Sequence, residues 1–170
     1  MKLRVLGLRI LGCLAIAAGF SNFAAASADA ATIVALGASN TYGKGVARNQ
    51  AFPAQLEAIL RTKRSNVRVV NAGINGDTTE GMLRRLDRSV PNGTSLVILQ
   101  PGGNDRRKHS QDRTGEIQNR LRTRGIPVIL LPNNTFKGLP HQPDGQHLTP
   151  EGYHMIAENL ASQVAGAIGH

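Results

Sequence analysis

Four short apolar runs, at residues 32–36, 67–70, 95–100 and 126–131, are rich in β-branched side chains and, Arg68 apart, uninterrupted by charge. A strand with one wet face alternates apolar and polar residues, so an unbroken run calls for cover on both faces. Between the runs, apolar residues recur at helical spacing: Leu56/Ile59/Leu60, Met82/Leu86/Val90, Ile117/Leu121 and, near the end, Ile156/Leu160/Val164/Ile168. Thr149-Pro150-Glu151 is a strong helix start, with Thr as cap and Pro in the first turn. Strands alternating with helices imply an α/β fold, a parallel sheet with right-handed crossovers and helices on both sides. No internal repeat, low-complexity tract or linker interrupts the pattern, so one domain is expected over residues 31–170.

The first thirty residues read differently. Lys2, Arg4 and Arg9 form a basic start, residues 10–20 are an apolar run, and small residues follow. This is the layout of a signal peptide, with cleavage expected near Ala26 or Ala30. The apolar run is too short for a spanning helix, which needs roughly 20 residues; an uncleaved anchor is the alternative. The expected destination is the periplasm or the medium. The only cysteine, Cys13, would leave with the leader, so neither a disulfide nor thiol chemistry is expected of the mature protein.

Loss of the leader removes three cations and Asp29, changing the formal net charge from +9 to +7. Such a surface attracts anionic partners, including anionic membrane surfaces. Nucleic acid is not expected, because single-strand binders stack bases on aromatics. Only Tyr42, Phe52, Phe136 and Tyr153 remain beyond the leader. The basic clusters (Arg61, Lys63, Arg64, Arg68; Arg84, Arg85, Arg88; Arg106, Arg107, Lys108) read as solvated helix faces.

In parallel α/β sheets, ligands bind outside the carboxyl ends of the strands. The segments following the four runs are Gly37-Ala38-Ser39-Asn40, then 71–78 with Asn75-Gly76-Asp77-Thr78, then Gly102-Gly103-Asn104-Asp105, then a loop reaching Asp144-Gly145-Gln146-His147. Every notable polar cluster therefore falls at one end of the sheet. A phosphate cradle is excluded at the first of these turns. It needs glycine, four residues, Gly-Lys and then Ser or Thr, yet Ala38 and Gly45 occupy its two ends. The remaining reading is a reactive serine. A serine hydroxyl needs a histidine to take its proton, and the histidine needs a carboxylate to hold its tautomer. Asp144 and His147 can supply both, while Gly76 and Asn104 can bring donors to a developing oxyanion.

These blocks resemble the SGNH (GDSL-type) hydrolase superfamily, in particular its small exported lysophospholipase/thioesterase-like arylesterases. Gly37-Ala38-Ser39-Asn40 matches the nucleophile block and Asn75-Gly76-Asp77-Thr78 the glycine block. Gly102-Gly103-Asn104-Asp105 matches the asparagine block, and Asp144-Gly145-Gln146-His147 the acid–histidine block. The resemblance implies a flavodoxin-like three-layer α/β/α sandwich. It also implies a nucleophile at Ser39, a base at His147 oriented by Asp144, and an oxyanion hole built from the N–H groups of Ser39 and Gly76 with the Asn104 side chain. No cofactor and no metal are implied.

Two departures stand out. Ala38 replaces the usual Asp before the nucleophile, which bears on the rigidity of the turn. Only forty positions separate Asn104 from Asp144, so a reduced sheet of four strands is expected, with room for a degenerate fifth. The expected activity is hydrolysis of small carboxylic esters, thioesters or lysophospholipids through an acyl-serine. The rivals are an acyltransferase using the same site, a non-catalytic binding module, and a metal hydrolase built on His141, His147 and Asp144. The oligomeric state is not legible.

Overall fold

The computed structural model describes residues 30–63 and 66–169. The expected leader therefore lies outside the described residues except for Ala30, as does Arg64 of the first basic cluster. Strands β1 (Ala31–Gly37), β2 (Val67–Gly73), β3 (Leu96–Gln100) and β4 (Val128–Leu130) form a parallel sheet in the order β2-β1-β3-β4. The helices are α1 (Ser39–Tyr42), α2 (Phe52–Lys63), α3 (Thr79–Arg84), α4 (Leu86–Ser89), α5 (Asn104–Arg107), α6 (Thr114–Thr123) and α7 (Pro150–Ala167).

Side chains of β1 and β3 alternate between two fully covered faces. Ile33, Ala35, Leu96 and Ile98 enter an apolar cluster with Phe52, Leu56, Tyr153, Ile156, Leu160 and Val164, which belong to α2 and α7. Val34, Leu36, Val97 and Leu99 enter a second cluster with Met82, Leu86, Ile117 and Leu121, from α3, α4 and α6. The expected three layers are present, and continuous apolar runs arise where both strand faces are buried.

The sheet reverses direction at β1. The chain leaves β1 for β2 on one side, then crosses back to β3 on the other. At such a switch point the loops leaving the two central strands diverge and open a crevice. Ser39 follows β1 and Asn104 follows β3, so both stand at its mouth.

Three expectations need correction. The fourth run is shorter as a strand than 126–131, because Ile126 bonds back to the Leu121 carbonyl at 3.0 Å, closing helix α6. There is no fifth strand among the described residues. After β4 the chain makes a 3-10 turn over Asn133–Phe136 and an isolated antiparallel bridge between His141 and Leu148. Finally, Met82, Leu86 and Val90 share one apolar cluster but not one helix, since the chain kinks at Arg85. That side chain turns inward to Asp77 at 2.8 Å and to the Gly37 carbonyl at 3.2 Å, so Arg85 is buried rather than part of a solvated face.

Thr149 caps α7 as expected, accepting the Gly152 N–H at 3.2 Å with Pro150 in the first turn. None of the described helices is long and apolar enough to cross a membrane. Gly73, closing β2, lies directly under α1: a Cβ there would sit 2.2 Å from the Tyr42 nitrogen and 2.6 Å from the Thr41 carbonyl carbon. Both are backbone atoms, so they cannot step aside. Gly73→Ala is expected to destabilise the fold by about 1–3 kcal/mol, the usual cost of overpacking, and to displace the turn carrying Ser39. Gly115→Ala in α6, where an added Cβ meets nothing within 4 Å, is expected to leave the denaturation midpoint unchanged or raise it. Equal midpoints for the two variants in urea would contradict the close approach at Gly73.

Candidate active site

The β1–α1 turn lifts Ser39 to the end of the sheet. Its frame is a buried amide from the neighbouring strand. Gln100 Oε1, at the end of β3, accepts from the Ala38 N–H at 3.1 Å and from the Thr41 hydroxyl at 3.2 Å, while Gln100 Nε2 donates to Asn133 at 3.2 Å. Ala38 itself packs into the second apolar cluster. The turn that lacks the usual aspartate is therefore held by Gln100 from one side and, through the Gly37 carbonyl, by Arg85 from the other.

The loop before α7 brings in Asp144 and His147. Its base is closed by the His141–Leu148 bridge, with the Gln142 N–H donating to the His147 carbonyl at 2.7 Å. Gln142 Nε2 also donates to the carbonyls of Leu148 and Lys44, each at 2.8 Å, fastening this loop to the segment that follows α1. Asn40 adds a second tie: it donates to the Gln146 carbonyl at 3.3 Å and accepts the Tyr153 hydroxyl at 2.9 Å. Burial pushes the Tyr153 phenol up to about 12, which keeps its proton available for that bond.

Within this frame, Asp144 Oδ1 accepts the backbone N–H groups of Gln146 and His147 at 2.9 and 3.0 Å. Asp144 Oδ2 faces His147 Nδ1 at 2.5 Å, and His147 Nε2 faces Ser39 Oγ at 3.0 Å. An ionised carboxylate only accepts, so Nδ1 carries the ring proton and Nε2 presents its lone pair to the serine hydroxyl. Ser39 and His147 are buried, whereas the Asp144 side chain remains 41% exposed. The hydrogen bond from His147 and the two backbone N–H groups hold the Asp144 carboxyl well below the usual carboxylate range.

Asn104 is buried beside them. Its Nδ2 donates to the Asp77 carbonyl at 2.7 Å, and its Oδ1 accepts from Arg107 at 2.7 Å. An amide NH₂ has two donors, so one remains for a ligand. Ser39, Asn104 and His147 all line a cleft of about 420 Å³. Gly76 stands outside that lining. It adopts φ +76°, a conformation that favours glycine, and its carbonyl accepts from Lys108 at 2.6 Å. The next residue, Asp77, holds the Asn104 amide, so Gly76 borders the site through that contact. His141 turns Nδ1 to the Leu139 carbonyl at 2.6 Å. Among the described residues no three His, Cys, Asp or Glu side chains converge to hold a metal ion.

A serine, an imidazole and an amide donor on one cleft, with a carboxylate behind the imidazole, are the parts of a nucleophilic hydrolase. The model of the GDSL-like lipase/acylhydrolase family matches residues 35–166. The chain belongs to that family. It is 31% identical over 130 residues to the esterase TesA of Pseudomonas aeruginosa, a match that takes in 73% of this chain but 62% of the relative's length. Among solved structures, a psychrotrophic esterase, EstA, from a Pseudoalteromonas species superposes with a TM-score of 0.65 at 16% identity, covering 82% of this chain and all of that one. AlinE4, an SGNH-hydrolase family esterase, gives 0.53 at 25% identity over 82% of this chain and 74% of its own. The likeness extends to the flavodoxin-like fold of SGNH hydrolases.

Within this GDSL-type frame, sequence reasoning misses Gln100 and Gln142, and it gives no bracing role to Asn40 of the nucleophile block or to Arg107 of the basic cluster. All lie within a few residues of a recognised block. An amide at the buried end of a strand is the one signal that points to Gln100. The Asp144 carboxyl has a definite pH signature. Its native pKa is depressed, so its stabilising contribution is complete above about 3.9, the unperturbed value. That contribution fades only as pH falls toward the lower native value. The ¹³C resonance of its carboxyl carbon is expected to titrate well below 3.9 in the native protein, and to shift upward, toward the ordinary range, in His147→Ala, where only the two backbone N–H bonds remain. A native midpoint at or above 4 would show that the Asp144–His147 contact does not persist in solution.

Proposed function

We propose that this chain is an exported serine esterase that hydrolyses small carboxylic esters through an acyl-Ser39 intermediate. The observation that carries the reading is the hydrogen-bonded line from Ser39 Oγ through the His147 ring to Asp144, opening on the cleft. His147 Nε2 takes the serine proton as Oγ attacks the ester carbonyl. Asp144 holds the ring in the needed tautomer and stabilises the imidazolium that forms. The oxyanion is met by the Ser39 N–H and the remaining N–H of Asn104 Nδ2, with the Gly76 N–H, outside the cleft lining, as the donor that the family resemblance adds. The imidazolium then protonates the departing alcohol. Water enters, gives its proton to the same nitrogen and releases the acid.

Export is supported by the basic start, the apolar run and the small residues before Ala30. This points to the periplasm or the medium. A formal charge of +7 after loss of the leader (three cations and one acid removed from +9) supports loose attraction to anionic membrane surfaces. Small esters, including thioesters or the ester of a lysophospholipid, are the substrate class.

Ser39→Ala is expected to abolish ester hydrolysis with an unchanged circular dichroism spectrum, because one hydroxyl at a turn contributes little to packing. A serine-directed organophosphate is expected to label the native chain once, at Ser39. Label on Ser110 or Ser162, or full activity in the alanine variant, would end the assignment.

The cleft also bears on chain length. Of the apolar side chains nearby in the chain, only Phe136 lines the cleft; Leu139 packs against the first apolar cluster, and Tyr42 is exposed and outside the lining. Ala38 adds a single methyl. A long acyl chain gains about 0.8 kcal/mol for each methylene it buries, and this lining gives it little to bury against. kcat/KM for acetyl and butyryl esters is therefore expected to exceed that for dodecanoyl and palmitoyl esters, measured with monomeric substrates at moderate salt. A steady rise from four to twelve carbons would contradict this.

A further inference from the structure

We propose that the mouth of the cleft is an anion-recognising subsite, so that the esters turned over best carry a phosphate or carboxylate group close to the ester bond. This rests on the serine-esterase reading above and narrows its substrate class. Three cationic residues, Arg106, Arg107 and Lys137, line the cleft, and no aspartate or glutamate does. They come from two separate segments, α5 after β3 and the loop after the 3-10 turn that follows β4.

Several cations elsewhere on the surface carry acidic partners one helical turn away, although others among the described residues, such as Arg88 and Arg122, make no ion pair. Arg61 pairs with Glu57, Arg84 with Glu80 and Arg120 with Glu116, at 3.0–3.1 Å. The cleft cations do not. Among the described residues, Arg106 and Lys137 make no ion pair. Arg107 bonds only neutral amides, Gln146 Oε1 and Asn104 Oδ1, each at 2.7 Å. Those bonds fix the guanidinium without neutralising it. The carboxylates of the surrounding segments are engaged: Asp105 by the Thr79 N–H, Asp77 by Arg85, Asp144 by His147, and Glu80 by Arg84 and Ser110.

Uncompensated positive charge in a concave site focuses the field on whatever enters. Guanidinium and ammonium groups meet phosphate and carboxylate with charge-assisted hydrogen bonds. Because Arg107 touches Asn104, this charge lies next to the donor that faces the ester carbonyl. The anion must therefore lie near the scissile bond, on either the alcohol or the acyl side. The cluster Arg106, Arg107, Lys108 is thus not simply a solvated helix face.

The test uses two matched pairs of esters, each corrected for its uncatalysed hydrolysis. 4-Acetoxyphenyl phosphate against 4-methoxyphenyl acetate varies the alcohol side. The 4-nitrophenyl monoester of adipate against 4-nitrophenyl hexanoate varies the acyl side. In at least one pair the anionic member is expected to show kcat/KM about tenfold or more above its neutral partner, and the pair that responds identifies the side. R106Q/K137Q is expected to reduce that ratio about tenfold. R88Q/R122Q, which removes the same charge from α4 and α6 near the entry ends of β3 and β4, is expected to leave it unchanged. Ratios at or below one in both pairs, or an equal fall in both double variants, would overturn the proposal. Calorimetric binding to Ser39→Ala separates this from the esterase reading, since no turnover is needed. Tighter binding of the anionic member, lost in R106Q/K137Q, supports the subsite even if the wild type hydrolyses no ester. Equal binding of both members overturns it whatever the wild type hydrolyses.

Discussion

Gln100 is the contact on which the geometry of the site depends. Its side chain is 1% exposed and sits where β3 ends beside β1. Its one carbonyl oxygen takes the Ala38 N–H and the Thr41 hydroxyl, and its nitrogen reaches Asn133 beyond β4. A buried amide left without these partners would carry a desolvation penalty of about 1–3 kcal/mol. The turn under Ser39 is thereby tied to the register of the sheet rather than to its own loop. The same tie explains how the turn persists with Ala38 where the family has an acid. One backbone N–H and a hydroxyl are satisfied by a neutral amide from the adjacent strand, and the methyl of Ala38 joins the apolar cluster beneath.

The second support is electrostatic. Arg85 is withdrawn from its helix face to bridge Asp77 and the Gly37 carbonyl. The kink between α3 and α4 follows from that withdrawal. Asp77 in turn presents its backbone carbonyl to Asn104. A largely buried ion pair thus links the turn under Ser39 to the segment holding Asn104, and removal of either partner would leave the other charge poorly solvated. The acid–histidine loop is fastened less deeply. Gln142 and Asn40 tie it at its ends through amide bonds that are part-buried or exposed. Asp144 therefore stays open to solvent, while His147 and Ser39 are covered.

Much of this was legible in the chain itself. The four apolar runs became four parallel strands, and the helical spacings became α2, α6 and α7. Ser39, Asn104, Asp144 and His147 are brought to one sheet end, because loops leaving parallel strands in the same direction share one edge. The misreadings have local causes. Periodicity over Met82, Leu86 and Val90 registers which face is buried and is blind to a kink that keeps that face. Ile126 and Leu131 are apolar because they are buried at the ends of β4, not because they lie within it. An acid one helical turn from an arginine shows in the spacing, as for Glu57 and Arg61, but whether a basic residue faces solvent or the cleft does not, because the cleft walls come from distant segments.

The sequence by itself determined the parallel α/β class, the residues at the carboxyl edge and the chemistry those residues can perform. These follow from side-chain type and from spacings of two, three or four positions, which local backbone geometry converts directly into faces and edges. Tertiary structure alone decided the 3.0 Å contact between Ser39 and His147, 108 residues apart, and the bracing of the Ala38 turn by Gln100. It also decided which arginines face the cleft, and the absence of a fifth strand among the described residues. Such contacts join segments whose separation along the chain carries no distance information. Only the packing of two apolar layers against one twisted sheet brings them within hydrogen-bonding reach.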